Sequence, residues 1–217
     1  MKLSRRAIAA LLLTTFLEHS GNLVADTVLP HKFEFNEGKE HYYMLAVLDS
    51  SIETQLKGFH IFDAKDNSIQ FIESEEDLSH KIPEYIRGEI LDVQPVHFED
   101  CNFDGFTDAM FREDISPRFQ SFDIWLWNPK QKKFVFDQQL NDAEINFVDP
   151  KTKTLRSGGS GGHGDFEFKT YSYTPSGKLT LVSTDFVSSR ENSEVKTHYV
   201  NGKVSKVVKT AAPDDTR

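Results

Sequence analysis

The run Asp100-Cys101-Asn102-Phe103-Asp104-Gly105-Phe106-Thr107-Asp108 reads D-x-N-x-D-G-x-x-D, the residue types and spacing of an oxygen cage. A hard cation such as calcium takes about six to eight oxygens at roughly 2.3–2.6 Å. Asp100, Asn102 and Asp104 supply side-chain oxygens at alternate positions, which wrap one side of an ion. Gly105 allows the sharp turn that brings the chain back. Phe106 then offers its backbone carbonyl, and Asp108 adds a carboxylate directly or through water. Three aspartates held this closely repel one another unless a cation sits between them. An EF-hand carries a bidentate Glu at the twelfth position, where this chain has Phe111, with Glu113 and Asp114 just beyond. That departure predicts a weak or structural site of extracellular type, and the ligand number suits calcium better than magnesium. The competing reading is an Asx-rich turn that holds no ion.

A second segment is built from small residues, Arg156-Ser157-Gly158-Gly159-Ser160-Gly161-Gly162-His163-Gly164-Asp165. It formally matches a nucleophile elbow and a dinucleotide fingerprint. Both require a following helix, and Phe166-Glu167-Phe168-Lys169 reads as strand. Two readings stay open. One is a flexible hairpin connection. The other is a contact loop whose small residues enter a narrow cleft, where Ser160, His163 and Asp165 meet carboxylates or sugar. The eight histidines are scattered without a metalloprotease-type pair. His97 and Glu99 read as strand residues flanking the acidic loop, and Glu73–Asp77 as a solvated acidic loop. Trp125 and Trp127 share one strand face, which favours core over a sugar platform. No catalytic set emerges, so a non-enzyme is expected.

The elements that must position these residues are strands. Five segments repeat one plan, an apolar-aromatic run, a polar turn and a second run. They are 59–62 with 69–72, 124–127 with 134–136, 145–148 with 154–155, 168–173 with 179–182, and 199–200 with 204. Asn201-Gly202 and Pro175-Ser176-Gly177 are turn chemistry, because Gly supplies positive φ and Pro fixes its own. Val93–Phe98 and Ala109–Phe111 place the acidic loop between strands. Ser74–Ile86 reads as a loop or a single helical turn, and Thr210–Arg217 as a frayed tail. The expected fold is a single all-β domain of antiparallel hairpins, either a small β-propeller-like form or a sandwich. Blades of about 40–45 residues would number only four to five in this length.

The chain has 217 residues, with 25 Lys+Arg against 34 Asp+Glu. The acidic balance excludes an ordinary nucleic-acid binder, which needs a basic stripe, and argues against adsorption to anionic lipid. A single cysteine, Cys101, excludes an intrachain disulfide. Lys2, Arg5 and Arg6 precede the apolar run Ala7–Leu17, and Leu23-Val24-Ala25 offers a small residue for cleavage. This is the plan of a secretory signal peptide over residues 1–25, with residues 26–217 as the domain. The apolar run is too short to span about 30 Å of hydrocarbon, and no cysteine follows it to carry a lipid anchor. A periplasmic monomer without a membrane anchor is therefore expected.

The combination resembles periplasmic calcium-binding immunity proteins that neutralise lysozyme-like effectors of bacterial type IV secretion systems. The resemblance rests on the signal peptide, on Val96–Asp108, on Lys151–Ser157 with the glycine segment, and on Tyr171-Ser172-Tyr173 with Gly177–Leu181. The acidic loop between strands is also similar to the calcium loops of integrin-like FG-GAP repeats. The resemblance implies a β-propeller-like fold with one structural calcium. It also implies inhibition of a peptidoglycan hydrolase by loops that plug its active-site cleft. A plug of the Ser-Gly-x-x-Tyr kind lacks its tyrosine here at both registers, and Tyr171 or Tyr173 would have to serve from the adjoining strand. The alternative function is a calcium-dependent carbohydrate-binding or adhesion module.

Overall fold

The computed structural model describes residues 26–48, 56–74, 96–112, 121–162 and 164–212. The signal-type segment 1–25, residues 75–86 of the expected loop, Glu113, Asp114, His163 and residues 213–217 lie outside the described residues.

Among the described residues the chain forms three antiparallel sheets and one short helix. The first sheet contains β1 (Thr27–Glu37), β2 (Glu40–Leu48), β3 (Leu56–Asp63) and β4 (Ser68–Glu73). The second contains β5 (Val96–Glu99), β6 (Asp108–Arg112), β7 (Phe122–Asn128) and β8 (Lys133–Phe136). The helix α1 (Gln138–Asp142) follows. The third sheet contains β9 (Ile145–Asp149), β10 (Thr154–Gly162), β11 (Asp165–Tyr173), β12 (Leu179–Ser188), β13 (Ser193–Val200) and β14 (Lys203–Ala211). Strands are adjacent in space in the order they occur in the chain, so each sheet is a meander without crossovers. Among the described residues no sheet closes into a barrel, and the expected all-β fold takes its sandwich-like form.

The second sheet explains why the others stay where they are. Val96, Ala109, Phe111, Trp127 and Phe134 join Phe35, Tyr42, Met44, Phe59 and Ile61 of the first sheet in one core, with Trp125 packed against it. Met110, Phe122 and Ile124 face the opposite way, into a second core with Leu140 of α1 and Ile145, Val148 and Leu155 of the third sheet. Alternation along β6 and β7 thus feeds two cores at once, as a period-2 strand must when both its faces are covered. Each large side chain buried this way contributes about 1.5–3 kcal/mol. Trp125 and Trp127 therefore belong to core packing, and Trp127 is buried.

All five hairpins read from the sequence are present, as β3–β4, β7–β8, β9–β10, β11–β12 and β13–β14. Asn201 and Gly202 both take positive φ, the turn their sequence demands. The β1–β2 hairpin was not legible, and its register shifts between Val28 and Lys32, around Pro30. Helix α1 is too short for any periodicity. Asp137 caps it by accepting from the Leu140 N–H.

Two expectations need correction. The glycine segment is not a flexible connection, because residues 157–160 run as strand β10 paired with Lys169 to Phe166 of β11. Its small residues serve a close backbone approach. A Cβ on Gly158 would lie 2.0 Å from the Glu167 carbonyl oxygen, and Gly158 has φ +120. Thr210 and Ala211 are not frayed either. They close β14 against β13, and buried Ala212 donates its N–H to the Asn192 carbonyl at 3.1 Å.

Gly158→Ala is expected to destabilise the protein by about 3 kcal/mol or more, because it adds a backbone clash to a strained φ. Gly177→Ala faces open space at φ +78 and should cost only about 1 kcal/mol. Urea unfolding of both variants checks this, and equal losses would refute the close-approach account.

Candidate metal centre

The acidic loop connects β5 to β6 and is anchored in both cores. Phe103 packs against the core shared with the third sheet, edge-on to Tyr173 at 6.4 Å. Phe106 packs against the core shared with the first sheet. Phe103 at φ 59 and Gly105 at φ 90 turn the chain twice between these anchors. A Cβ at Gly105 would meet nothing, so the residue is needed for its backbone conformation and not for space.

The side-chain oxygens between the anchors point back onto the loop. Asp100 accepts from Asp104 N–H at 3.0 Å through Oδ1 and from Gly105 N–H at 2.9 Å through Oδ2. Asn102 Oδ1 accepts from the same Asp104 N–H, and Asp104 Oδ1 accepts from Phe106 N–H at 2.9 Å. Asn102 Nδ2 donates to Asp104 Oδ2. Among the described residues no three His, Cys, Asp or Glu side chains already converge as a ligand group. The donor chemistry nonetheless fits a hard cation. Every candidate atom is an oxygen, and a carboxylate oxygen that accepts one N–H keeps a second lone pair.

Asp108 is placed differently from the other members of the motif. It is fully buried, with Oδ2 accepting from Cys101 N–H and Oδ1 from Trp127 N–H, each at 2.8 Å. Desolvation by burial pushes its carboxyl up to about 7, against the pull of those two hydrogen bonds. The charges of Asp104 and Asp100 push in the same direction as burial. The motif does not reveal a fourth carboxylate at this site. Buried Glu37, at the end of β1, accepts from Thr107 N–H at 2.7 Å, and burial with the nearby Asp104 and Asp100 charges raises its pKa. It lies 70 residues before Thr107, so no local signal could connect them. Cys101 is a free, buried thiol, and burial, with the Asp108 charge beside it, holds it protonated well above the usual range.

The residues considered for partner contact are split by the fold. Ser160 and Asp165 lie at the tip of the β10–β11 hairpin, where Asp165 accepts from Ser188 Oγ at 2.8 Å. Tyr171 pairs with Leu155 at the hairpin's other end, about 20 Å away along the strand, and packs against the second core. His163 lies outside the described residues.

The fold and loop together define an all-β protein of stacked meanders, with an acidic oxygen-rich loop at the end of its middle sheet. No family model matches the chain, and no curated protein matches it. A solved structure does share the fold: a Xanthomonas type IV secretion system related protein, the likeness covering 85% of this chain and 97% of that one. The TM-score is 0.53 and the sequence identity 17%, so the likeness is one of fold.

In calcium-free buffer, stability is expected to fall as pH rises toward about 7. The folded state holds the Asp108 proton up to about 7, whereas an unfolded aspartate releases it near its ordinary value of 3.8. The contribution is complete below the unfolded pKa and lost through the folded one. Urea midpoints in chelator between pH 5 and pH 8 measure it, and Asp108→Asn should flatten the slope. A wild-type midpoint that does not move would refute this account.

Proposed function

We propose that this is a periplasmic calcium-binding protein that inhibits a peptidoglycan-degrading, lysozyme-like enzyme, in the manner of an immunity protein. The observation that carries the proposal is the fold-wide likeness to a type IV secretion system related protein, on a chain with a D-x-N-x-D-G loop. In this reading Asp100, Asn102, Asp104 and the Phe106 carbonyl hold calcium, and Asp108 orders the loop from beneath. The β10–β11 hairpin supplies the plug. Its tip carries Ser160 and Asp165, and its backbone is held close to β11 at Gly158. The signal-type residues 1–25 would take the protein to the periplasm, where the cell wall and its hydrolases are. The protein itself turns over no substrate. The carbohydrate-module alternative has less support, because Trp127 lies in the core and Trp125 packs against it.

Thermal unfolding of residues 26–217 should show a calcium-induced rise in Tm that chelator reverses and Asp104→Ala abolishes. With calcium present, the protein should slow turbidity loss of purified peptidoglycan by a lysozyme-like hydrolase from a type IV secretion system. Substituting Ser160 together with Asp165→Asn, the amide keeping an oxygen to accept from Ser188 Oγ, should relieve that inhibition while the calcium-induced rise in Tm persists. Absence of inhibition across a panel of such hydrolases would refute the inhibitory role, whatever the calcium result.

A further inference from the structure

The outer half of the third sheet carries a surface that the metal loop does not explain. Strand β14 is the terminal strand of its sheet and pairs only with β13 among the described residues. Its outer backbone edge is a row of N–H and C=O groups without a strand partner there. The strand is exposed along nearly its whole length. It carries Lys203, Lys206 and Lys209 and no carboxylate, in a chain of formal charge −9.

The pairing register sorts these side chains. Lys203 stands opposite Val200, and Lys206 opposite His198, on one face. Val204 stands opposite Tyr199, and Val207 opposite Thr197, on the other. Three residues would normally separate two side chains onto opposite faces. The register shift between His198 and Tyr199 absorbs one residue and keeps Lys203 and Lys206 together. Val204 and Val207 are each 59% exposed on their side. The carboxylates on the lysine face of neighbouring strands do not neutralise this edge. Asp185 is engaged by Lys196 at 3.0 Å, and Glu194 stands opposite Thr210. Lys209 reaches Glu191 at 3.5 Å, an exposed pair in which both side chains remain mostly solvated.

We infer that β14 is a docking edge that accepts an extended partner segment of alternating acidic and apolar residues as a further antiparallel strand. Such a segment would set its carboxylates beside Lys203 and Lys206 and its apolar side chains beside Val204 and Val207, while its backbone completes the edge. Charge selects this occupant over a second copy of the chain. Two β14 strands laid antiparallel about Lys206 would oppose Lys206 to itself on one face, which is repulsive.

Fluorescein-labelled (Glu-Val)4 and (Lys-Val)4 peptides test the inference by anisotropy on the full chain, with amide hydrogen exchange read along β14. The acidic peptide should bind and protect β14 amides, and the basic peptide should not bind. Lys203→Glu with Lys206→Glu, both exposed, should leave Tm unchanged, weaken the acidic peptide by about tenfold or more and admit the basic one. Methylating alternate backbone nitrogens of the acidic peptide should remove binding. Binding that survives N-methylation would reduce the effect to charge alone and overturn the inference. So would equal binding of both peptides, absence of β14 protection, or sedimentation showing that the wild-type chain pairs with itself through this edge.

Discussion

The Asp108 carboxylate is the point on which the rest of the middle of the molecule depends. One of its oxygens holds the start of the acidic loop through Cys101 N–H, and the other holds β7 through Trp127 N–H. Either N–H left unpaired in this buried setting would cost about 1–3 kcal/mol. The carboxylate thus fixes the loop to the strand that carries Trp127, which in turn lies against Phe35, Tyr42 and Phe134. The position is also electrostatically uncomfortable. Burial and two neighbouring aspartates oppose its ionisation, and Glu37 adds a further acidic group at Thr107. A cation among Asp100, Asn102 and Asp104 would reverse the sign of that local field.

The two-faced middle sheet extends this constraint outward. Because β6 and β7 bury side chains on both sides, a shift of one residue in their register would exchange the two cores completely. The anchoring of Phe103 in one core and Phe106 in the other makes the acidic loop sensitive to that register. Among the described residues the third sheet has no such restraint along its outer strands. Its inner strands meet Leu140 and Ile145 in a core, whereas β14 is exposed nearly throughout.

Much of the fold was legible in the sequence because it is local. A hairpin announces itself by a turn between two β-rich runs, as at β3–β4, β7–β8, β9–β10, β11–β12 and β13–β14. The acidic loop was placed correctly between strands for the same reason. Apart from the local β1–β2 hairpin, what was not legible depends on contacts between distant segments. Glu37 gives no sign that it will meet Thr107. The glycine segment reads as loop by composition, and only the approach of Gly158 to the Glu167 carbonyl explains its strand. Asp108 is likewise held in the core from outside the motif, by Trp127 N–H, as well as from within it, by Cys101 N–H. Ser160 and Tyr171 sit close together in sequence, but the extended rise of β11 carries Tyr171 to the other end of the hairpin.

The contrast between the molecule's two ends follows from where charge has been buried. At the acidic loop, carboxylates are drawn into or against the core, and the chain holds them with backbone N–H groups and the sharp turn at Gly105. At β14, lysines remain in water on an edge without a strand partner among the described residues, where like charge opposes self-association. An overall acidic chain that concentrates three lysines on one terminal strand has not spread its charges evenly. The meander topology leaves that strand at the sheet's border, as the last element of a sequential series. Local turn chemistry thus sets the position of the basic edge, and long-range packing sets that of the acidic loop.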